Sequence, residues 1–114
     1  MTKVSFDKQG GKYCKLTVMG HSGYAEEGSD IVCAAISSMV NLTTAVLEKS
    51  GIAFAMNVGS KTPTIIIQLT DTENAFGQNM FEALYSEMIG LSESFTDYVK
   101  VTVAERTPQI NKKG

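Results

Sequence analysis

The sequence predicts an α+β fold, a two-layer domain with two helices packed on one mixed or antiparallel sheet in the order ββαββαβ. Five short stretches either alternate apolar and polar residues or are rich in β-branched ones, which is typical of strands. Two longer stretches repeat apolar residues at spacings of three and four, which is typical of helices. The 114 residues are enough for one domain, expected over residues 1–106, followed by a polar tail at residues 107–114.

The first two strands are expected to form a hairpin. The first strand begins near Val4, and the Gly-Gly pair within residues 9–12 supplies the turn. The second strand covers residues 13–19, where alternation places Cys14 on the same face as Leu16. Cys14 is therefore predicted to be a small buried hydrophobe of the core.

A first helix is predicted over residues 30–50, with Ser29 as its N-cap and Gly51 as its C-terminal stop. Asp30 in the first turn complements the helix dipole. The expected core-facing stripe comprises Val32, Ala35, Ile36, Met39, Leu42 and Val46. A separate polar face comprises Asp30, Cys33, Ser37, Asn41, Thr44 and Glu48. Cys33 stands among polar residues, which strengthens the case for a functional role and leaves a structural role open.

A second hairpin follows the first helix. Residues 52–58 alternate, residues 59–63 contain glycine and proline and make the turn, and residues 64–70 form a β-branched run. The run is typical of a central strand. No internal repeat is detected along the chain.

A second helix is predicted over residues 73–94, capped by Asp71 or Thr72, and a last strand over residues 98–104. The apolar stripe of this helix is expected to comprise Phe76, Met80, Leu84, Met88 and Leu91, widened by Phe81 and Tyr85. Both helices are expected to cover one face of the sheet.

Composition narrows the class of protein. The net charge of −2 gives no general attraction to nucleic acid or to an anionic membrane. No run of about 18 apolar residues occurs, and residues 1–7 lack the apolar stretch of a signal peptide, so we expect a cytoplasmic protein with no membrane partner. Small domains bury a smaller share of their surface, which favours a homodimer.

One histidine and one cysteine suggest chemistry. His21, the only histidine, follows a strand pattern, and Cys33 lies one turn inside the next helix. Exposed N–H groups at a helix N-terminus favour a thiolate, and an imidazole can take the thiol proton. The loop between them is long enough to bring the ring to the sulfur. The pair predicts an enzyme with Cys33 as nucleophile and His21 as general base.

Neighbouring groups have open roles. Asp30 either accepts a hydrogen bond from the other ring nitrogen of His21 or only complements the helix dipole. Ser37, one turn after Cys33, either contacts the substrate or is a solvated serine. Free N–H groups at the helix start, including that of Cys33, are candidates to stabilise an oxyanion.

Metal and redox chemistry are not expected. One histidine and two cysteines fall short of four zinc ligands, and no Cys-x-x-Cys motif occurs. A disulfide between Cys14 and Cys33 is disfavoured in a reducing cytosol. We therefore expect neither a metal nor a cofactor.

The loop that joins the histidine to the helix is predicted to be a lid. Gly23 and Gly28 lie near its two ends and can act as hinges. We expect the loop to be open or disordered without substrate and ordered when a peptide binds. Its residues are Ser22, Gly23, Tyr24, Ala25, Glu26, Glu27, Gly28 and Ser29.

A known family resembles the chain at these residues. The similar string comprises Gly20-His21 and Gly28-Ser29-Asp30-Ile31-Val32-Cys33-Ala34-Ala35-Ile36-Ser37. In that string, and in length and element order, the chain resembles the bacterial ribosomal-processing cysteine proteases, the Prp family. Ser22 departs from the alanine that usually follows the histidine.

The resemblance implies a cysteine endopeptidase that removes a short N-terminal extension from a large-subunit ribosomal protein, cleaving after an aromatic-rich segment. It implies Cys33 as nucleophile, His21 as general base, and supporting positions at Gly20, Asp30 and Ser37. It also implies a homodimer, a mobile loop over the site and an apolar groove beside the cysteine.

Two other functions stay open. A non-catalytic ribosome-assembly or adaptor module would be favoured by a basic surface patch, which the low net charge does not suggest. A cysteine hydrolase acting on a small molecule would be favoured by a deep closed pocket, whereas an open groove suits a peptide.

Overall fold

The element order ββαββαβ is confirmed in a computed structural model of the chain, which describes residues 1–26, 28–59 and 63–106. The predicted tail at residues 107–114 lies outside the described residues, as do Glu27 of the predicted lid and residues 60–62 of the second predicted turn. The elements are β1 (Thr2–Gln9), β2 (Lys12–Met19), α1 (Ile31–Lys49), β3 (Phe54–Val58), β4 (Thr64–Leu69), α2 (Ala75–Ser94) and β5 (Val99–Arg106).

The five strands form one mixed sheet in the order β3-β4-β2-β1-β5. All neighbouring pairs are antiparallel except β1 and β5, which run parallel with Val4 opposite Val101. Both helices pack on one face of this sheet, so the predicted two-layer α+β class is confirmed. The end of β2, the start of β1 and the start of β4 meet at one end of the sheet, because Met19 pairs with both Lys3 and Thr64.

A β-bulge in the first hairpin changes which side chain of β2 enters the core. Lys15 pairs with Asp7 while Tyr13 pairs with Lys8, so Cys14 is the extra residue. Beyond the bulge the faces exchange, and Tyr13 is only 4% exposed, packed edge-on against Phe6. The prediction that Cys14 is a buried core residue is therefore wrong, since Cys14 is half-buried.

The observed buried face of α1 is rotated from the predicted core-facing stripe toward the predicted polar face. Its buried residues are Val32, Ile36, Val40, Thr43 and Leu47. Val40 and Leu47 were not predicted to be in the core, whereas Leu42, which was, is 65% exposed. Because Val40 and Leu47 project on the side of the helix nearer to Cys33, the core extends almost to the cysteine.

The helix caps also differ from those predicted. Asn74, and neither Asp71 nor Thr72, caps α2, with its side chain accepting a hydrogen bond from the Gly77 N–H at 2.9 Å. The buried residues of α2 are Gly77, Phe81, Leu84 and Met88. Phe76, predicted to be in the stripe, is 48% exposed.

Among the described residues, α1 is the one helix long and apolar enough to cross a membrane, judged by length and composition. This is weak evidence for a membrane span, because core helices of soluble domains pass the same test. Five residues of α1 are buried against the rest of the domain.

Candidate active site

His21 and Cys33 line the same cleft, which has a volume of about 700 Å³. The cleft lies at the end of the sheet where β2 stops and α1 begins. Apolar side chains that also line it are Val18, Ile36, Val58, Pro63 and Ile65. Ser37 lines it one turn beyond Cys33 and is exposed, so the structure brings both predicted catalytic residues and Ser37 into one cavity.

Gly20 sets the direction in which the chain leaves β2 toward His21. Its φ is +92°, a conformation that side-chain-bearing residues resist, and a Cβ atom there would lie 2.9 Å from the Met1 carbonyl oxygen. Its N–H donates to the Pro63 carbonyl at 2.8 Å. A glycine is therefore required where β2, the N-terminus and the β3–β4 hairpin converge.

Asp30, not Ser29, is the N-cap of α1. Its Oδ1 accepts the backbone N–H groups of Val32 and Cys33, both at 3.0 Å. Ser29 was predicted to be the cap, but only the next residue places a carboxylate over the first helical turn. The helix consequently begins at Ile31.

The second carboxylate oxygen of Asp30 holds the loop. Oδ2 accepts a hydrogen bond from the Ser22 hydroxyl and the N–H groups of Tyr24 at 3.2 Å and Ala25 at 3.4 Å. The Ser22 hydroxyl contributes most to lowering the pKa of Asp30 to about 2, and the N–H groups of Cys33 and Ala25 add to it, against an opposing effect of burial. Asp30 thus joins the loop to the helix as an ionised carboxylate.

Cys33 lies half-buried in the first turn of α1, and its Sγ is 3.5 Å from the Ser22 Oγ. The sequence predicts that the backbone N–H of Cys33 is free to stabilise an oxyanion. In the structure it is not free, because it donates a hydrogen bond to Asp30. The placement of the sulfur at a helix N-terminus agrees with the arrangement predicted from sequence.

His21 is exposed on the wall of the cleft. Within the described residues, the hydrogen bonds accepted by Asp30 come from the loop and from α1, and His21 is not among the donors. The suggestion that Asp30 orients the imidazole therefore stays a prediction, whereas its role as helix cap is what the geometry shows.

Sequence reasoning missed the place of Ser22. It was assigned to a mobile loop, but it is only 2% exposed and contacts both Asp30 and Cys33. One signal of this role was available in the sequence, because Ser22 replaces the alanine that usually follows the histidine. A buried hydroxyl so close to the reactive pair must find hydrogen-bond partners.

The described part of the predicted lid is held at several points. Beyond the contacts to Asp30, the ring of Tyr24 packs edge-on against Phe95 and Tyr98, with centroid distances of 5.4 and 5.2 Å. The N–H of Ser29 donates to the Glu26 carbonyl at 2.9 Å and closes a turn. These contacts define one arrangement of the loop, and its response to substrate stays a prediction.

Cys14 differs from Cys33 in its surroundings. It lies on the bulge of β2, where its Sγ is 3.3 Å from the Asp7 carbonyl oxygen. Burial raises the pKa of the Cys14 thiol, and the nearby Asp7 adds to the effect. Both cysteines are free thiols. In the part of the chain that the structure describes, no group of three or more potential metal ligands occurs.

Known proteins of similar structure include two complexes of the ribosomal processing protease Prp from Staphylococcus aureus. The complex with a covalently linked product peptide has a TM-score of 0.85 and 20% identity, covering 90% of this chain and 99% of that one. The complex with a substrate peptide has a TM-score of 0.80 and 19% identity over the same shares. The protein SMU.848 from Streptococcus mutans has a TM-score of 0.80 and 25% identity, covering 93% of this chain and 96% of that one.

One of two sequence comparisons identifies the family. A comparison with curated proteins finds no match. The sequence model of the family described as cysteine protease Prp, in contrast, matches residues 1–100, which include both His21 and Cys33. A match over so much of the chain shows a cysteine peptidase, in agreement with the resemblance noted in the sequence. The chain belongs to the cysteine protease Prp family.

Proposed function

We propose that this protein is an endopeptidase in which Cys33 is the nucleophile and His21 the general base. The observation that carries the proposal is that the two side chains line one cleft, with the sulfur in the first turn of α1. A helix N-terminus stabilises negative charge on sulfur, and an exposed imidazole that lines the same cleft can take and return a proton.

The reaction follows from these two groups. The imidazole of His21 takes the thiol proton, and the Cys33 sulfur attacks the carbonyl carbon of the scissile bond. The imidazolium gives its proton to the departing amine as the C–N bond breaks, which leaves a thioester on Cys33. Water then loses a proton to His21 and attacks the thioester carbonyl carbon. As the C–S bond breaks, the imidazolium returns that proton to the sulfur, which releases the acid and regenerates the thiol.

The shape and lining of the cleft suit an extended peptide. A cavity of about 700 Å³ bordered by the β3–β4 hairpin has room for several side chains. Val58 and Ile65 provide apolar surface for an aromatic segment on the substrate. The two similar Staphylococcus aureus structures hold a substrate peptide and a covalently linked product peptide, which supports a peptide as the partner here.

The proposed substrate is the N-terminal extension of a large-subunit ribosomal protein, cut after an aromatic-rich segment. Membership of the Prp family and the description of similar proteins as ribosomal processing proteases support this assignment. With it come a cytoplasmic location and a homodimer as further parts of the proposal. Gly20, Asp30 and Ser37 are proposed to support the reacting pair.

The test is incubation with a synthetic peptide that copies the extension and its junction, followed by mass spectrometry of the products. We expect one cut at the junction for the wild type and for Cys14→Ala, and none for Cys33→Ala or His21→Ala. Circular dichroism should show all four proteins folded. Cleavage by Cys33→Ala would exclude the nucleophile. Binding of the peptide by the wild type without a cut would favour an adaptor module, and turnover of small thioesters alone a small-molecule hydrolase.

A further inference from the structure

The Ser22 hydroxyl has all of its hydrogen-bonding capacity in use. A serine hydroxyl has one proton to donate and two lone pairs to accept with. The proton goes to Asp30 Oδ2, and one lone pair accepts the Tyr24 N–H at 3.2 Å. The remaining lone pair faces Cys33 Sγ at 3.5 Å. Ser22 is only 2% exposed, so water does not compete readily for these partners.

The direction of the Ser22–Asp30 bond determines what Ser22 can offer the sulfur. Five donors converge on the Asp30 carboxylate, and its pKa is lowered to about 2, so near neutral pH it is an anion that only accepts. The Ser22 proton must therefore point at Asp30. The contact between Ser22 and Cys33 then requires the proton of the thiol, because the oxygen has only a lone pair to present.

We propose that Ser22 is a positioning residue that holds the Cys33 side chain in the free enzyme by accepting a hydrogen bond from its thiol. The thiol is directed toward Ser22 and the Asp30 carboxylate, both of which accept, and so is withheld from His21 until substrate disturbs the arrangement. This role of Ser22 rests on the proposed function in one respect, because the contact affects catalysis only if Cys33 is the nucleophile.

Three titratable groups line the cleft beside this contact among the described residues. They are Asp30, His21 and Cys33 itself. Asp30 places a negative charge beside the sulfur, which favours the thiol, while the N-terminus of α1 favours the thiolate. Removing the hydroxyl of Ser22 keeps the Asp30 carboxylate and the N-terminus of α1 in place. It takes away an acceptor for the thiol, together with the hydrogen bonds that the hydroxyl makes to Asp30 and to the Tyr24 N–H.

The test is the rate of alkylation of Cys33 by iodoacetamide as a function of pH, read by peptide mapping in wild type and Ser22→Ala. Loss of one hydrogen bond of ordinary strength should speed alkylation at pH 7 by about three- to tenfold. The gain should disappear at about pH 10, because an ionised thiol has no proton to donate to Ser22. Ser38→Ala, an exposed serine on the same helix, is the matched control and should match the wild type at every pH.

The pH dependence separates this role from a purely structural one. If Ser22→Ala only loosened the loop and exposed the sulfur, alkylation would be faster by the same factor at pH 7 and at pH 10, which would overturn the proposal. Unchanged or slower alkylation at pH 7 would overturn it as well. Ser22→Gly lacks the same hydroxyl and replaces Ser22→Ala if circular dichroism shows that variant unfolded. Since no peptide is involved, the outcome is independent of whether the proposed substrate is cleaved.

Discussion

The ring of Tyr24 packs edge to face against the ring of Tyr98, with the two centroids 5.2 Å apart. Along the chain, Tyr24 lies between the proposed base and the proposed nucleophile. Phe95 makes a second such contact at 5.4 Å. Tyr98 and Phe95 lie where α2 gives way to β5, far from Cys33 in sequence. The loop is therefore fastened at two places, by aromatic packing at Tyr24 and by Asp30 at the start of the helix.

Removal of this aromatic contact should loosen the loop. Tyr24→Ala is expected to speed amide hydrogen exchange over residues 22–26, with a smaller effect on the thermal midpoint, because edge-to-face pairs are worth only about 0.5–1.5 kcal/mol beyond burial. Tyr24→Phe keeps the ring and is the control. In Cys33→Ala, bound peptide should slow exchange in the same segment. If Tyr24→Ala exchanges there like the wild type, the aromatic contact does not hold the loop.

Gly20 should tolerate no side chain. Gly20→Ala is expected to lower the free energy of unfolding by at least about 1–2 kcal/mol, since its φ of +92° is strained for alanine and the added carbon meets a backbone oxygen at 2.9 Å. Urea unfolding measures this. Gly90→Ala is the matched control, because Gly90 lies within α2 with open space around it and should gain about 0.5–1 kcal/mol. Equal effects of the two substitutions would contradict the close approach at Gly20.

The lowered pKa of Asp30 predicts an acid-dependent contribution to stability. A carboxylate whose pKa falls on folding stabilises the fold above its ordinary pKa of 3.8, and the contribution is lost as the pH falls through the folded value of about 2. Asp30→Asn keeps a capping oxygen and removes the charge. The variant should melt several degrees below the wild type at pH 6, and the gap should narrow between about pH 4 and pH 2. Asp97→Asn, at an exposed carboxylate, is the control, and a gap independent of pH would contradict the prediction.

The order of the elements, and the placement of His21 and Cys33 on one cleft, could be predicted because each depends on local pattern. Strand alternation, helical periodicity and a histidine before a capped helix are visible within a few residues. The details that failed depend on contacts made across the fold. The bulge turns Tyr13 into the core, where its ring packs against Phe6 and against aromatic residues of α2.

The cap of α1 could not be predicted for a related reason. Ser29 and Asp30 are both good capping residues, and the choice between them was decided by Ser22, whose hydroxyl binds the carboxylate from the loop. Leu42 satisfied the apolar spacing of α1 but lies on the side away from the sheet, at 65% exposure. Such choices require the position of the neighbouring layer, which a periodic pattern does not contain.

The two thiols should differ in reactivity for reasons that the structure makes specific. Both are half-buried, so exposure alone does not separate them. Burial and Asp7 raise the pKa of Cys14, whereas Cys33 lies in the first turn of α1, where the helix favours a thiolate. Iodoacetamide at pH 7 should therefore modify Cys33 about tenfold faster than Cys14 or more, even with the Ser22 hydroxyl accepting a hydrogen bond from the Cys33 thiol. Cys14→Ser and Cys33→Ser each leave one thiol to follow by mass spectrometry. Equal rates for the two single-thiol proteins, or faster labelling of Cys14, would mean that the helix start does not activate Cys33.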